Sequence, residues 1–96
     1  MITQTIPCPD AKALLAQGGQ LVDVRTPLEH QQFTIPGSTN LPLQQIGAAS
    51  KILDKDKSVM VYCQSGARSE QARHFLNSMG FDKVYNLGSV QNYFSC

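Results

Sequence analysis

Short apolar runs alternate with helical segments along this chain of 96 residues. The segments 20–24 and 58–62 are apolar, rich in Val and preceded by Gly or Lys, which is typical of buried strands. Weaker strands are predicted at 38–41 and 83–87, and the segment 2–6 could add a strand at one edge. Because strands of the buried type occur mainly in parallel sheets, the alternation favours the α/β class.

Three segments between the strands have helical patterns. The segment 9–17 begins with Pro, and the weaker segment 41–53 is interrupted by Gly47. The segment 69–79 ends at a glycine and places four apolar side chains on one predicted face, namely Ala72, Phe75, Leu76 and Met79. Strands joined by helices form βαβ units. The sequence therefore predicts one domain over residues 1–96, a mainly parallel sheet with helices on both faces.

The charges are few and balanced, with eight basic and seven acidic side chains. No cluster of Lys and Arg is dense enough for a phosphate-binding surface, because the segment 51–57 alternates in sign, so nucleic acid is excluded as a partner. No window approaches the ~20 apolar residues of a membrane span. The amino terminus lacks the pattern of a signal peptide, which predicts a cytoplasmic location. The length suits a monomer.

The three cysteines, Cys8, Cys63 and Cys96, are odd in number and widely spaced, without a CxxC pair. This pattern favours a reducing compartment over a disulfide framework and matches no zinc site. His30 and His74 add no metal signature, and His74 is predicted to lie on the exposed face of its helix. No metal is therefore predicted; Cys8 is interpreted as structural and Cys96 as a passive tail residue.

Cys63 has a special position, since it directly follows a predicted strand and precedes a predicted helix. In parallel sheets, sites form where strands end and loops lead into helices. The backbone N–H groups of residues 64–69 can converge on one point as an anion-binding nest, and Gly66 permits the required turn. Ser69 is a plausible N-cap whose helix adds its dipole, and the planar fork of Arg68 suits an anion.

This arrangement favours a thiolate at Cys63. Comparable environments lower a cysteine pKa from ~8.5 to between ~3.5 and ~7.5. We therefore interpret Cys63 as a nucleophile. The alternative is a buried structural cysteine with Arg68 at the surface. No histidine or acid is adjacent in sequence to the loop, although folding could bring His30 near.

Three ordered segments resemble the rhodanese (thiosulfate sulfurtransferase-like) family. LVDVRTPLEHQQF (21–33) is similar to its DVR-x-x-x-E motif, IPGSTNLP (35–42) to IPGA-x-N-IP, and YCQSGARSEQARHFLNSMGFDKVYNL (62–87) to its C-x-x-G-x-R-S loop with the following helix and strand. The resemblance implies a five-stranded parallel sheet and a Cys63 persulfide. It also implies thiosulfate or a related donor, a cyanide or thiol acceptor, and no organic cofactor.

Physical arguments indicate roles for the neighbouring residues. Those expected to bind the donor, mainly through the backbone ring and the Arg side chain, are Gln64, Ser65, Gly66, Ala67 and Arg68. Ser69 is expected to support the loop. Asp23 and Arg25 could reach the loop or pair with Glu29, and a structural ion pair is the favoured interpretation.

Two alternatives stay open beside a sulfurtransferase enzyme. One is a persulfide-relay or binding module that a protein sulfur donor loads. The other is a phosphatase or arsenate reductase, against which the loop argues, since sulfurtransferases are expected to have four residues between Cys and Arg, as here, and the others five. The chain also departs from the family at Phe33–Thr34, where Gly-His is common, and in its last residues, 88–96, which lack a Gly-Gly pair and a Trp.

Overall fold

The computed structural model describes residues 4–96. Strands and helices alternate along these residues as predicted, which confirms the α/β class. The helices are α1 (Cys8–Ala16), α2 (Pro27–Gln32) and α3 (Ala67–Ser78); the strands are β1 (Gln20–Asp23), β2 (Thr39–Asn40), β3 (Val59–Cys63) and β4 (Val84–Ser89); 3₁₀ helices span Leu43–Lys51 and Val90–Phe94.

The sheet is parallel throughout, in the order β2-β1-β3-β4. The predicted count of five strands is wrong, because the described residues form four. The predicted edge strand 2–6 falls partly outside the described residues. Its remaining part lies beside β4, where the Ile6 N–H donates to the Asn86 carbonyl at 2.9 Å, but it is not a strand.

Alternation of side chains along β3 divides the core into two layers. Val59, Val61 and Cys63 face the layer of α3 and the 3₁₀ helix Leu43–Lys51. Met60 and Tyr62 face the layer of α1 and the 3₁₀ helix Val90–Phe94. Every residue of β3 is buried, since helices cover both faces of the sheet as predicted. The centre of the sheet therefore presents Cys63 at its carboxyl edge.

Two helix predictions need correction. Ala72 and Leu76 are buried in α3 as expected, but Phe75 is exposed, so the buried stripe is narrower than the apolar pattern. The weak helix predicted at 41–53 is a 3₁₀ helix instead. It has no side-chain cap and contains Gly47, both of which disfavour a regular α-helix.

Cys8 and Cys96 form a disulfide that ties α1 to the C-terminal segment. Their Cα atoms are 6.0 Å apart, and Lys12 Nζ donates to the Cys96 carbonyl at 3.0 Å. The interpretation of Cys96 as a passive tail residue is therefore wrong, whereas the structural interpretation of Cys8 agrees with its burial. The sequence had favoured free cysteines over a disulfide framework, and this pair is a correction to that prediction.

No helix within residues 4–96 is long and apolar enough to cross a membrane.

Candidate active site

Cys63 is the last residue of β3, and the loop after it turns sharply into α3. Gly66 makes this turn with φ of +100°, a conformation that disfavours side chains, and it is the N-cap of α3. A Cβ at Gly66 would lie 3.4 Å from the Cα of Gly88 in β4. Ser69 is thus not the N-cap that the sequence suggested, because the helix begins two residues earlier at Ala67.

The sulfur of Cys63 is surrounded by hydrogen-bond donors. The Gly66 N–H donates to Sγ at 2.9 Å, and the Ser69 hydroxyl lies 3.5 Å from Sγ. Burial raises the pKa of Cys63, but the Ser69 hydroxyl and the backbone N–H groups of Ser69, Gly66 and Ser65 together hold it below its ordinary value. The side chain has no exposed surface, yet its environment favours the thiolate.

Asn86 of β4 supports this loop and was not found from the sequence. Its Oδ1 accepts from the Ser69 hydroxyl at 2.7 Å and from the Gly88 N–H at 2.8 Å, while its Nδ2 donates to the Gly66 carbonyl at 3.3 Å. Asn86 is buried. An amide within the apolar run 83–87 was the available signal, since a buried polar side chain needs partners.

Glu29 binds the guanidinium of Arg68 through both carboxylate oxygens, at 2.8 and 3.0 Å. Glu29 also completes a capping box with Thr26 at the start of α2. The hydrogen bond from Arg68, with that from Thr26, lowers the pKa of Glu29 from 4.5 to about 2. The sequence had suggested Asp23 and Arg25 as possible partners of Glu29, but in the structure its partner is the loop arginine, Arg68.

Asp23 and Arg25 instead pair with each other. Arg25 donates from Nε and Nη2 to the two carboxylate oxygens of Asp23, both at 2.9 Å, and from Nη2 to the Phe33 carbonyl. Burial raises the pKa of Asp23, but the hydrogen bonds from Arg25 and His30 hold it below its ordinary value. Both side chains are buried, which agrees with the structural role that we favoured.

The turn at Phe33–Thr34 is built without glycine through a cluster of hydroxyls. Thr34 Oγ1 lies 2.7 Å from the hydroxyl of Tyr62 and 2.8 Å from that of Ser38. It also lies 3.0 Å from Nδ1 of His30, the nitrogen that contacts Asp23 at 2.9 Å. His30 is therefore part of this structural cluster.

A pocket of about 330 Å³ opens beside the cysteine loop. Its lining includes Gln64, which follows Cys63 in the chain. It also includes Val90, which follows Ser89, the β4 residue that pairs with Cys63. Its lining consists of Arg25, Glu29, Gln32, Phe33, Gln64, Val90 and Gln91. Of the predicted donor-binding residues, Gln64 reaches this pocket, Ser65 and Gly66 face the sulfur through their N–H groups, and Ala67 starts α3.

Comparison with known proteins agrees with these motifs. The sequence model of the family described as Rhodanese-like domain matches residues 8–95. A protein named Sulfurtransferase from Allochromatium vinosum is 45% identical over 67 residues, which cover 70% of this chain and 63% of that relative. The Thiosulfate sulfurtransferase PspE of Escherichia coli is 37% identical over 74% of this chain and 70% of its own length.

A solved structure described as a rhodanese with anions from E. coli is also similar. It is 36% identical, with a TM-score of 0.70, and the match covers 77% of this chain and 89% of that one. The chain thus spans a little under two thirds of the A. vinosum relative and more of the others.

Proposed function

The chain belongs to the rhodanese-like domain family, and we propose that it is a sulfurtransferase in which Cys63 accepts a sulfane sulfur atom and passes it on. The observation that supports this best is the set of donors around Sγ, from the Gly66 N–H at 2.9 Å to the Ser69 hydroxyl at 3.5 Å. These donors favour an anion at the position that a nucleophilic thiol must occupy.

The first half-reaction loads Cys63. Its thiolate attacks the outer sulfur of thiosulfate, the S–S bond of the donor breaks, and the bonding electron pair leaves with sulfite. Cys63 is then a persulfide anion, which the same N–H groups can stabilise. Thiosulfate as the donor is suggested by the name of the E. coli relative.

The second half-reaction unloads Cys63. A thiophilic acceptor such as cyanide or a thiol attacks the outer sulfur of the persulfide, the S–S bond breaks, and the electron pair returns to Cys63 as a thiolate. The two half-reactions form a ping-pong cycle. Gln64, Ser65, Gly66, Ala67 and Arg68 are the residues that we propose to bind the donor, with Ser69, Asp23 and Arg25 in support.

A second candidate is a relay module loaded by a protein sulfur donor. It is favoured by an exposed aromatic pair: Phe33 lines the pocket, and its ring lies 5.8 Å from that of Phe94. Each of these side chains is about half exposed, at 50% and 49%. Apolar surface of this kind beside a site is typical of a contact with another protein.

Intact mass of the reduced protein, measured before and after incubation with thiosulfate, tests the proposal. We expect a gain of about one sulfur atom (~32 Da) that is absent from Cys63→Ser, whose side chain is similar in size. No gain with thiosulfate, but a gain with a cysteine desulfurase and cysteine, would favour the relay module. No gain with either source would contradict sulfur transfer, and turnover of an aryl phosphate or arsenate would then be tested.

A further inference from the structure

The lining of the pocket includes a carboxylate, that of Glu29, whereas the sequence suggested the guanidinium of Arg68 as the group that binds the donor. Glu29 lines the pocket and its side chain is 30% exposed, so an incoming molecule can approach it. Arg68 binds Glu29 through two hydrogen bonds. It is not among the residues of 4–96 that line the pocket. The lining therefore includes the carboxylate of this ion pair and not its guanidinium.

The other charged group of the lining does not compensate for this carboxylate. Arg25 is 3% exposed, and Asp23 occupies its Nε and one Nη2 hydrogen at 2.9 Å. The polar groups that remain in the lining are the uncharged amides of Gln32, Gln64 and Gln91. The Arg25–Asp23 and Arg68–Glu29 pairs sum to zero charge, so a thiolate at the neighbouring Cys63 would give the site a net negative charge.

From this arrangement we infer that Glu29 determines donor selectivity, disfavouring dianionic sulfane donors such as thiosulfate relative to donors with a single negative charge. The inference rests on the proposed function and concerns the same site. Repulsion between like charges rises with each charge on the donor, and over the short distances inside the pocket it is only partly screened by salt. Glu29 acts on the charge of the donor and takes no part in the bonds that change.

Two donors of matched chemistry isolate the effect of charge. Thiosulfate has two negative charges, and methanethiosulfonate, in which a methyl group replaces one oxygen anion, has one. With either donor the Cys63 thiolate attacks the outer sulfur, the S–S bond breaks, and its electron pair leaves with sulfite or with methanesulfinate. Cys63 becomes the same persulfide in both reactions, so only the loading step differs.

The experiment measures kcat/KM of both donors, with cyanide as acceptor, in the wild type and in Glu29→Gln. The Gln side chain keeps an oxygen that can accept from Arg68 and Thr26, and it removes the charge. We expect kcat/KM for thiosulfate to rise roughly tenfold, mainly through KM, and that for methanethiosulfonate to change about threefold or less. Because the pKa of Glu29 is about 2, the selectivity of the wild type should not vary through its titration near neutral pH.

Two further variants control for net charge and for folding. Asp82→Asn changes the net charge equally at an exposed position before β4, at the opposite end of the sheet, and should leave the ratio between donors unchanged. Glu29→Asp keeps the charge and should keep the selectivity of the wild type. An unchanged ratio in a folded, active Glu29→Gln would overturn the inference alone. Failure of both donors to load Cys63 in the wild type would overturn the proposed function as well.

Discussion

Cys63 and Cys8 are both buried, with 0% and 3% of their surface exposed, but their surroundings differ completely. Cys63 lies at the carboxyl edge of the sheet among N–H groups that point at its sulfur, and it is a free thiol. Cys8 begins α1, and its sulfur is bonded to Cys96. Burial by itself therefore does not decide what a cysteine does; the groups that face the sulfur do.

The largest expected effect concerns the disulfide: its loss should lower the free energy of unfolding and leave sulfur transfer at Cys63 intact. Replacing both Cys8 and Cys96 by Ser opens a loop with a sequence separation of 88, and the chain-entropy argument predicts a loss of roughly 4–5 kcal/mol in the free energy of unfolding. The fraction that remains folded should still accept sulfur at Cys63. Urea unfolding under non-reducing conditions measures the first quantity, and intact mass the second.

Cys63→Ser is the matched control, since we expect it to lose transfer while it retains its resistance to urea. Wild type treated with a reductant should unfold like the double variant. If the double variant were as stable as the oxidised wild type, the disulfide would not contribute to stability as argued.

An intermediate effect is expected at the loop arginine. Arg68→Ala should lower the rate at which thiosulfate loads Cys63 by about tenfold, because Glu29 would then face the pocket without its cation. Stability should fall by only about 1 kcal/mol or less, since the ion pair is partly exposed, with side chains 34% and 30% accessible. Stopped-flow loading and urea unfolding measure the two quantities.

Arg73→Ala is the control for this variant, because Arg73 lies on the same helix and binds Glu70 through two hydrogen bonds in the same way. It should not change loading. An equal loss of loading and of folding in Arg68→Ala would show that Arg68 is structural.

The smallest effect concerns the hydroxyl beside the sulfur. Ser69→Ala removes the hydroxyl that lies 3.5 Å from Sγ and lowers the pKa of Cys63, so the pKa of the thiol should rise and the pH dependence of loading should move to higher pH. The pKa of Cys63 is depressed in the folded protein; its stabilising effect is therefore present above the ordinary thiol pKa and is lost as pH falls through the folded value. In Ser69→Ala the folded pKa should lie closer to the ordinary thiol pKa, so the pH range over which stability changes should be narrower.

Ultraviolet absorbance of the thiolate, followed against pH, measures the shift. Ser78→Ala provides a comparison at the far end of the same helix, where the hydroxyl donates to the Phe75 carbonyl at 2.7 Å. Coincident titrations of Cys63 in Ser69→Ala and the wild type would contradict a role for the hydroxyl.

Features that depend on neighbours in sequence were predictable. The apolar run of β3, the glycine in the turn and the start of a helix just after it all follow from local preferences, and together they place Cys63 at a sheet edge. The loop of four residues between Cys63 and Arg68 is likewise a property of the chain alone. These features establish the class of fold and the position of Cys63.

Contacts between distant segments were not predictable in the same way. The partner of Arg68 is 39 residues away, and the Asn86 amide reaches Ser69 across 17. The prediction that Phe75 faces the core was wrong. The periodicity of a helix indicates which side faces the core, but it does not indicate how far the neighbouring layer extends over that side.

The sequence by itself determined a parallel α/β domain with a cysteine loop, since periodicity and turn residues act within a few positions of one another. Only the tertiary structure decided that Glu29 neutralises Arg68, that Asn86 supports the loop, and that Cys8 meets Cys96. Each of these depends on packing that joins separate elements, and a carboxylate or thiol can satisfy its chemistry with any suitable partner that the fold brings within about 3 Å.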